Sequence, residues 1–154
     1  MEMLRSLNFL ASEKCMKYFS GIDYQRQLII ASLDDFSPNA ALPNFRGEGT
    51  DETEVWRQAV IEFLCINVKH GFIEATHYPE IRVGYDINKL EDILINGDKK
   101  NHIDPVIVWN TLYFNGTSDL INIVEKFNLR EWRCANFSKE CDGFISFLRE
   151  TYEI

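Results

Sequence analysis

DETEVWRQAVIEFLCINVKHG, residues 51–71, decides how the rest of the chain is read. Trp56, Ala59, Val60, Phe63 and Leu64 recur at steps of three and four, and Ile61, Ile66 and Val68 widen that face. So broad an apolar band predicts a central helix packed on several sides. Asp51 is placed to cap it, with Glu54 three residues on as reciprocal partner, and Asp51, Glu52 and Glu54 suit the positive end of the helix dipole. Lys69 and His70 fall in the last turn, and Gly71 can take the left-handed position that closes it.

Downstream, 72–76 and 81–85 read as two short strands around Thr-His-Tyr-Pro-Glu, a hairpin or wing. Asp86 caps a helix with Leu90, Ile93 and Leu94 inward, ended by Asn96-Gly97. Asp104-Pro105 opens the next helix, which Asn115-Gly116 would close. Thr117 or Ser118 caps another, and a last helix runs from about Ser138 with Phe144, Leu148 and Tyr152 inward. Upstream, the apolar steps from Leu4 to Phe19 suggest an amphipathic helix over 2–19. Residues 24–36 fit helix better than strand, and SPNAALPNFRGEG, 37–49, is the longest irregular connection. The expectation is one domain over 1–154, mainly α with a small antiparallel β-hairpin (α+β), and a winged-helix-like outline at its centre.

The totals of 45% hydrophobic, 26% charged and 13% aromatic residues suit a packed globular chain. The formal charge is −8, with 11 acids against 7 bases through His77 and 13 against 9 beyond it, so each part carries −4. A field of that sign disfavours direct nucleic-acid binding, which needs clustered Lys and Arg, and favours a basic partner. No run approaches the ~20 apolar residues that span a bilayer. The N-terminal stretch lacks a signal peptide's basic start and unbroken apolar core, so a cytoplasmic location is expected.

Candidate chemistry is sparse. His70 and His77 are seven apart with Gly71 between them, whereas a zinc-protease helix sets its histidines four apart. His102 has only Asp104 nearby as an orienting acid. The cysteines Cys15, Cys65, Cys134 and Cys141 form no C-x-x-C pair, and Cys65 reads as a small buried hydrophobe. Nucleophile elbows and phosphate loops are missing, so a non-enzymatic protein without cofactor or metal is expected. Trp56 and Trp109 fall on core faces. Trp132, between Arg130-Glu131 and Arg133, reads either as an exposed contact or as a lid over the core.

The acidic helix DETEVWRQAVIEFLCINVKHGFIEA, the hairpin leading to VGYD and the helical C-terminal segments resemble small cytosolic immunity proteins of bacterial contact-dependent inhibition and related polymorphic toxin systems. The resemblance implies a stoichiometric inhibitor of a basic toxin domain, commonly a nuclease, bound through an acidic surface. The surface candidates are Asp51, Glu52 and Glu54; Asp86, Glu91 and Asp92; Glu140 and Asp142; with Trp132 as aromatic anchor. Two alternatives stay open: a regulatory adaptor of winged-helix type, and a small metal-dependent hydrolase using His70, His77 and Glu74.

Overall fold

A computed structural model describes residues 16–47, 53–81, 87–136 and 139–154. The helix expected over 2–19 therefore lies largely outside the described residues, as do Asp51, Glu52, Asp86 and Ser138. Helix α1 spans Gly21–Leu33 and α2 Glu54–Lys69, followed by strand β1 at Ile73–Ala75. Next come α3 at Ile87–Asn96, α4 at Pro105–Thr111 and strand β2 at Phe114–Gly116. Helices α5 at Ser118–Lys126, α6 at Trp132–Asn136 and α7 at Asp142–Tyr152 complete the order.

Helix α2 is central, as its apolar band predicts: Phe63, Val60 and Leu64 are fully buried. Its side-chain cap is Thr53, whose hydroxyl accepts the Trp56 N–H at 3.1 Å; the start is thus two residues inside the Asp51 expected as cap. The C-terminus follows the expectation closely. Gly71 sits at φ 77°, its N–H donates to the Val68 carbonyl, and Phe72 N–H reaches Asn67 O at 2.9 Å. That pair of bonds satisfies two carbonyls the helix leaves open.

The described sheet is small and antiparallel, and of the second strand expected over 81–85, residues 82–85 lie outside the described residues. Ile81, expected to open a second strand, closes a 3₁₀ turn at Pro79–Ile81. β1 pairs with β2, in the register Ile73↔Gly116, Glu74↔Asn115 and Ala75↔Phe114. Phe114 also exchanges both backbone bonds with Phe36 at 2.9 Å, so three distant segments lie side by side. Burial is the reason: Ile73, Ala75 and Phe114 are fully buried, and their backbone groups need partners away from water.

Asn115-Gly116 is likewise strand rather than helix end, since α4 stops at Thr111. Gly116 is required by close approach. A Cβ there would lie 2.7 Å from the Ala31 carbonyl oxygen of α1 and 3.0 Å from Leu120. Gly116→Ala is expected to lower stability by about 1–3 kcal/mol, the usual cost of overpacking, read as a lower denaturant midpoint with an unchanged slope.

The remaining caps divide. Thr117 accepts the Leu120 N–H as expected and also donates to Gly71 O at 2.6 Å, joining α5 to the end of α2. Gly97 takes φ 81° after α3. Asp104 occupies the cap position before Pro105 but makes no side-chain cap bond. α7 starts at Asp142, later than the expected Ser138, after a non-helical run at 139–141. All the described elements feed one apolar cluster, and none of the described helices is long and apolar enough to cross a membrane.

Candidate partner-binding surface

Helix α1 organises the most distinctive surface. Gln25 is 1% exposed and uses both ends of its amide on the run before α7: Nε2 donates to Lys139 O at 3.0 Å and Oε1 accepts the Cys141 N–H at 2.8 Å. That clamp sets Glu140 against the start of α1, where its Oε2 would be 2.7 Å from a Cβ on Gly21. Glu140 and Asp142 are both exposed. Short helix α6 also packs on α1.

Between α1, residues 42–44 and α6 lies an open groove of about 270 Å³. α1 lines it with Asp23, Arg26 and Ile30, the loop with Leu42 and Asn44, and α6 with Asn136. Trp132 is four residues before Asn136, hence on the same helical face, and is 51% exposed. Of the two readings of Trp132, the lid over the core does not fit, since the side chain is exposed. Arg130 beside it is exposed, its Nε donating to Ser32 O at 3.0 Å and its Nη1 3.7 Å from Glu125 Oε1, and Arg133 bonds Glu131 at 2.6 Å.

The loop wall has unusual backbone. Leu42, Asn44 and Arg46 sit at φ 48°, 54° and 55°, a region non-glycine residues seldom adopt. α1 imposes it: Gln27 Oε1 accepts the Leu42 N–H at 2.8 Å, and Asp23 Oδ2 accepts the Arg46 N–H at 3.0 Å and the Ser20 hydroxyl at 2.6 Å. Such strain persists where surroundings over-determine it. The irregular composition of 37–49 signalled a loop, but not that buried Asp23 and Gln27 would hold it in one shape.

The structure separates the acidic candidates. Glu54, exposed in the first turn of α2, accepts Gln58 Nε2, and Asp92, exposed on α3, accepts Asn96 Nδ2 at 2.8 Å. Glu91 on the same helix is half-buried. These three belong to the packed α2–α3 pair, whereas Trp132, Glu140 and Asp142 belong to the α1 side. No family model, curated protein or solved structure matches the chain.

The histidines are scattered by role. His70 is the half-buried residue at the C-terminal cap of α2, with its ring 5.7 Å from that of Tyr152. His77 is exposed in the turn after β1, and His102 is exposed at φ 58° after the 3₁₀ turn Lys99–Asn101. Among the described residues, no three His, Cys, Asp or Glu side chains converge as metal ligands. Cys65 is buried, which pushes its thiol well above the usual range, while Cys134 and Cys141 are half-buried free thiols. Three acids are buried, Asp23, Glu62 and Asp98. Glu62 lies on α2 and is 7% exposed.

Proposed function

We propose that this chain is an immunity protein that binds a cognate toxin domain of nuclease type and occludes its basic cleft, acting stoichiometrically in the cytoplasm and not as an enzyme. The observation that carries the reading is the α1 side: an exposed tryptophan on the α6 face that lines a groove, with Glu140 exposed by the start of α1 and Asp142 exposed at the start of α7. Tryptophan in such a position is the residue type that dominates interface energies, and rim carboxylates steer a basic partner. The net charge of −8 adds a long-range pull of the same sign.

The test is coexpression and affinity measurement against a toxin domain encoded beside this chain. Trp132→Ala is expected to weaken binding by about 30-fold or more, on the order of 2 kcal/mol, with the melting temperature unchanged. Glu140→Lys with Asp142→Lys should slow association and reduce its salt dependence, while Glu54→Lys with Asp92→Lys should do neither. Loss confined to the second pair would move the surface to α2–α3. Full protection with all of these changed would defeat the electrostatic reading.

A further inference from the structure

Asp23, in the first turn of α1, is bonded through one oxygen only. Its Oδ2 accepts both the Arg46 N–H at 3.0 Å and the Ser20 hydroxyl at 2.6 Å, which fixes the loop that walls the groove. Among the described residues no donor reaches Oδ1. The residue is 4% exposed and lines the groove between α1, the 42–44 loop and α6. A carboxylate this far out of water is normally paired or hydrogen-bonded through both oxygens, and a half-bonded one facing a groove marks a place for a donor.

We infer that the groove is a subsite for one arginine side chain of a protein partner, with the guanidinium donating to Asp23 Oδ1. The natural occupant rests on the partner reading above; the chemistry of the subsite does not. Size is the first argument. At about 270 Å³ the groove falls just short of the roughly 300 Å³ at which pockets begin to hold a drug-sized ligand, so it suits a single inserted side chain. Its walls are the second. Ile30, Leu42 and Pro43 offer apolar surface to an aliphatic stem, and a guanidinium leaves water more readily than an ammonium does. Trp132, exposed on the α6 face that lines the groove, adds an aromatic ring of the kind on which guanidinium groups stack.

Charge places the cation at one end. Asp23 lies near the start of α1, where Glu140 also stands against Gly21. Arg26 lines the groove three residues further along and repels a second cation set against it, but it already has a partner of its own. The guanidinium therefore belongs at the Asp23 end. The loop wall is held in one shape by Gln27 and Asp23 before any ligand arrives, so little ordering cost is left to binding.

The test is an NMR titration of the full chain, without partner, using N-acetyl-arginine methylamide and its citrulline counterpart, which keeps a planar urea but carries no charge. The arginine probe is expected to shift the Leu42, Asn44 and Ala135 amides and the Trp132 indole N–H saturably, leaving α3 and α4 unmoved. The citrulline probe should bind at least about tenfold more weakly, because a neutral hydrogen bond replaces an ionic one. No shift at the groove, or equal binding of the two probes, would overturn the subsite. Asp23→Asn keeps an oxygen for the Arg46 N–H and the Ser20 hydroxyl but sets an amide nitrogen in place of Oδ1. Arginine binding should fall at least about tenfold in that variant, and retention of the wild-type affinity would also overturn the subsite. If the variant fails to fold, the comparison of the two probes on the unchanged chain still decides. Against the cognate toxin domain, unchanged affinity of a folded Asp23→Asn would leave the immunity reading standing and defeat the subsite. Selective arginine binding by a chain that binds no toxin would do the reverse.

Discussion

Trp109→Ala is expected to cost about 3–5 kcal/mol, the largest loss for any single side chain on the α3–α4 side, because three separate interactions leave together. The indole is 1% exposed and fills the space between α3 and α4. Its ring lies 5.6 Å from that of Trp56, and the Arg57 guanidinium sits 4.4 Å over it. Its Nε1 donates to the Leu94 carbonyl at 2.9 Å. Leu94 is in the last turn of α3, where helix geometry leaves carbonyls without intrahelical donors. Trp109→Phe separates the contributions: it keeps an aromatic body but orphans that carbonyl, at a cost of about 1–3 kcal/mol. Chemical denaturation of both variants checks this. A Trp109→Phe loss as large as that of Trp109→Ala would mean that the hydrogen bond, and not the packing, holds α4 in place.

Elements whose signals are local were legible in the sequence. Helix α2 showed both its apolar band and its glycine stop, and Gly97 and Thr117 mark ends and starts through backbone conformation or a side-chain bond three residues away. The sheet was not legible in the same way. A three-residue strand carries no periodicity that names its partner, and the pairing of Ala75 with Phe114 joins segments about forty residues apart, with Phe36 on the other side of Phe114. The cap at Thr53 in place of Asp51 shows a smaller ambiguity, since Asp51 and Thr53 are both residue types that cap.

The candidate surface follows the same division. Exposure of Trp132 was one of two readings its charged neighbours allowed, and the indole is exposed while Arg130 beside it bonds the Ser32 carbonyl. That Glu140 stands at the start of α1 depends on Gln25 bonding residues more than a hundred positions away. The groove needs the left-handed Leu42 and Asn44, and nothing in LPN announces a leucine at positive φ. Glu62 misleads for a related reason. An acid at that position on a helix normally faces water, but residues 16–20 cover it from a part of the chain more than forty positions away.

The second large effect belongs to the polar pair inside the core, Asn67 and Tyr152. Both are fully buried, and the Tyr152 hydroxyl donates to Asn67 Oδ1 across an 85-residue separation, tying α7 to α2. Asn67 Nδ2 donates in turn to Phe63 O at 2.9 Å. Asn67→Ala orphans a buried hydroxyl and opens a small cavity, so a loss of about 2–4 kcal/mol is expected. Tyr152→Phe orphans only one acceptor and should cost about 1–3 kcal/mol. Replacing both, Asn67→Leu with Tyr152→Phe, should cost less than the sum of the two single losses, because neither polar group then remains without a partner. Alkaline pH gives a second, independent measure. Burial pushes the Tyr152 phenol, and that of Tyr24, far above the ordinary tyrosine range. The unfolded chain releases those protons near pH ~10 while the folded chain keeps them. Stability is therefore intact below that pH and lost as pH rises through it. Phenolate absorbance should show these two of the six tyrosines ionising only in the cooperative unfolding step. Tyr152→Phe should remove one of the two from that step, and smooth ionisation of both before unfolding would show that the pair is open to water.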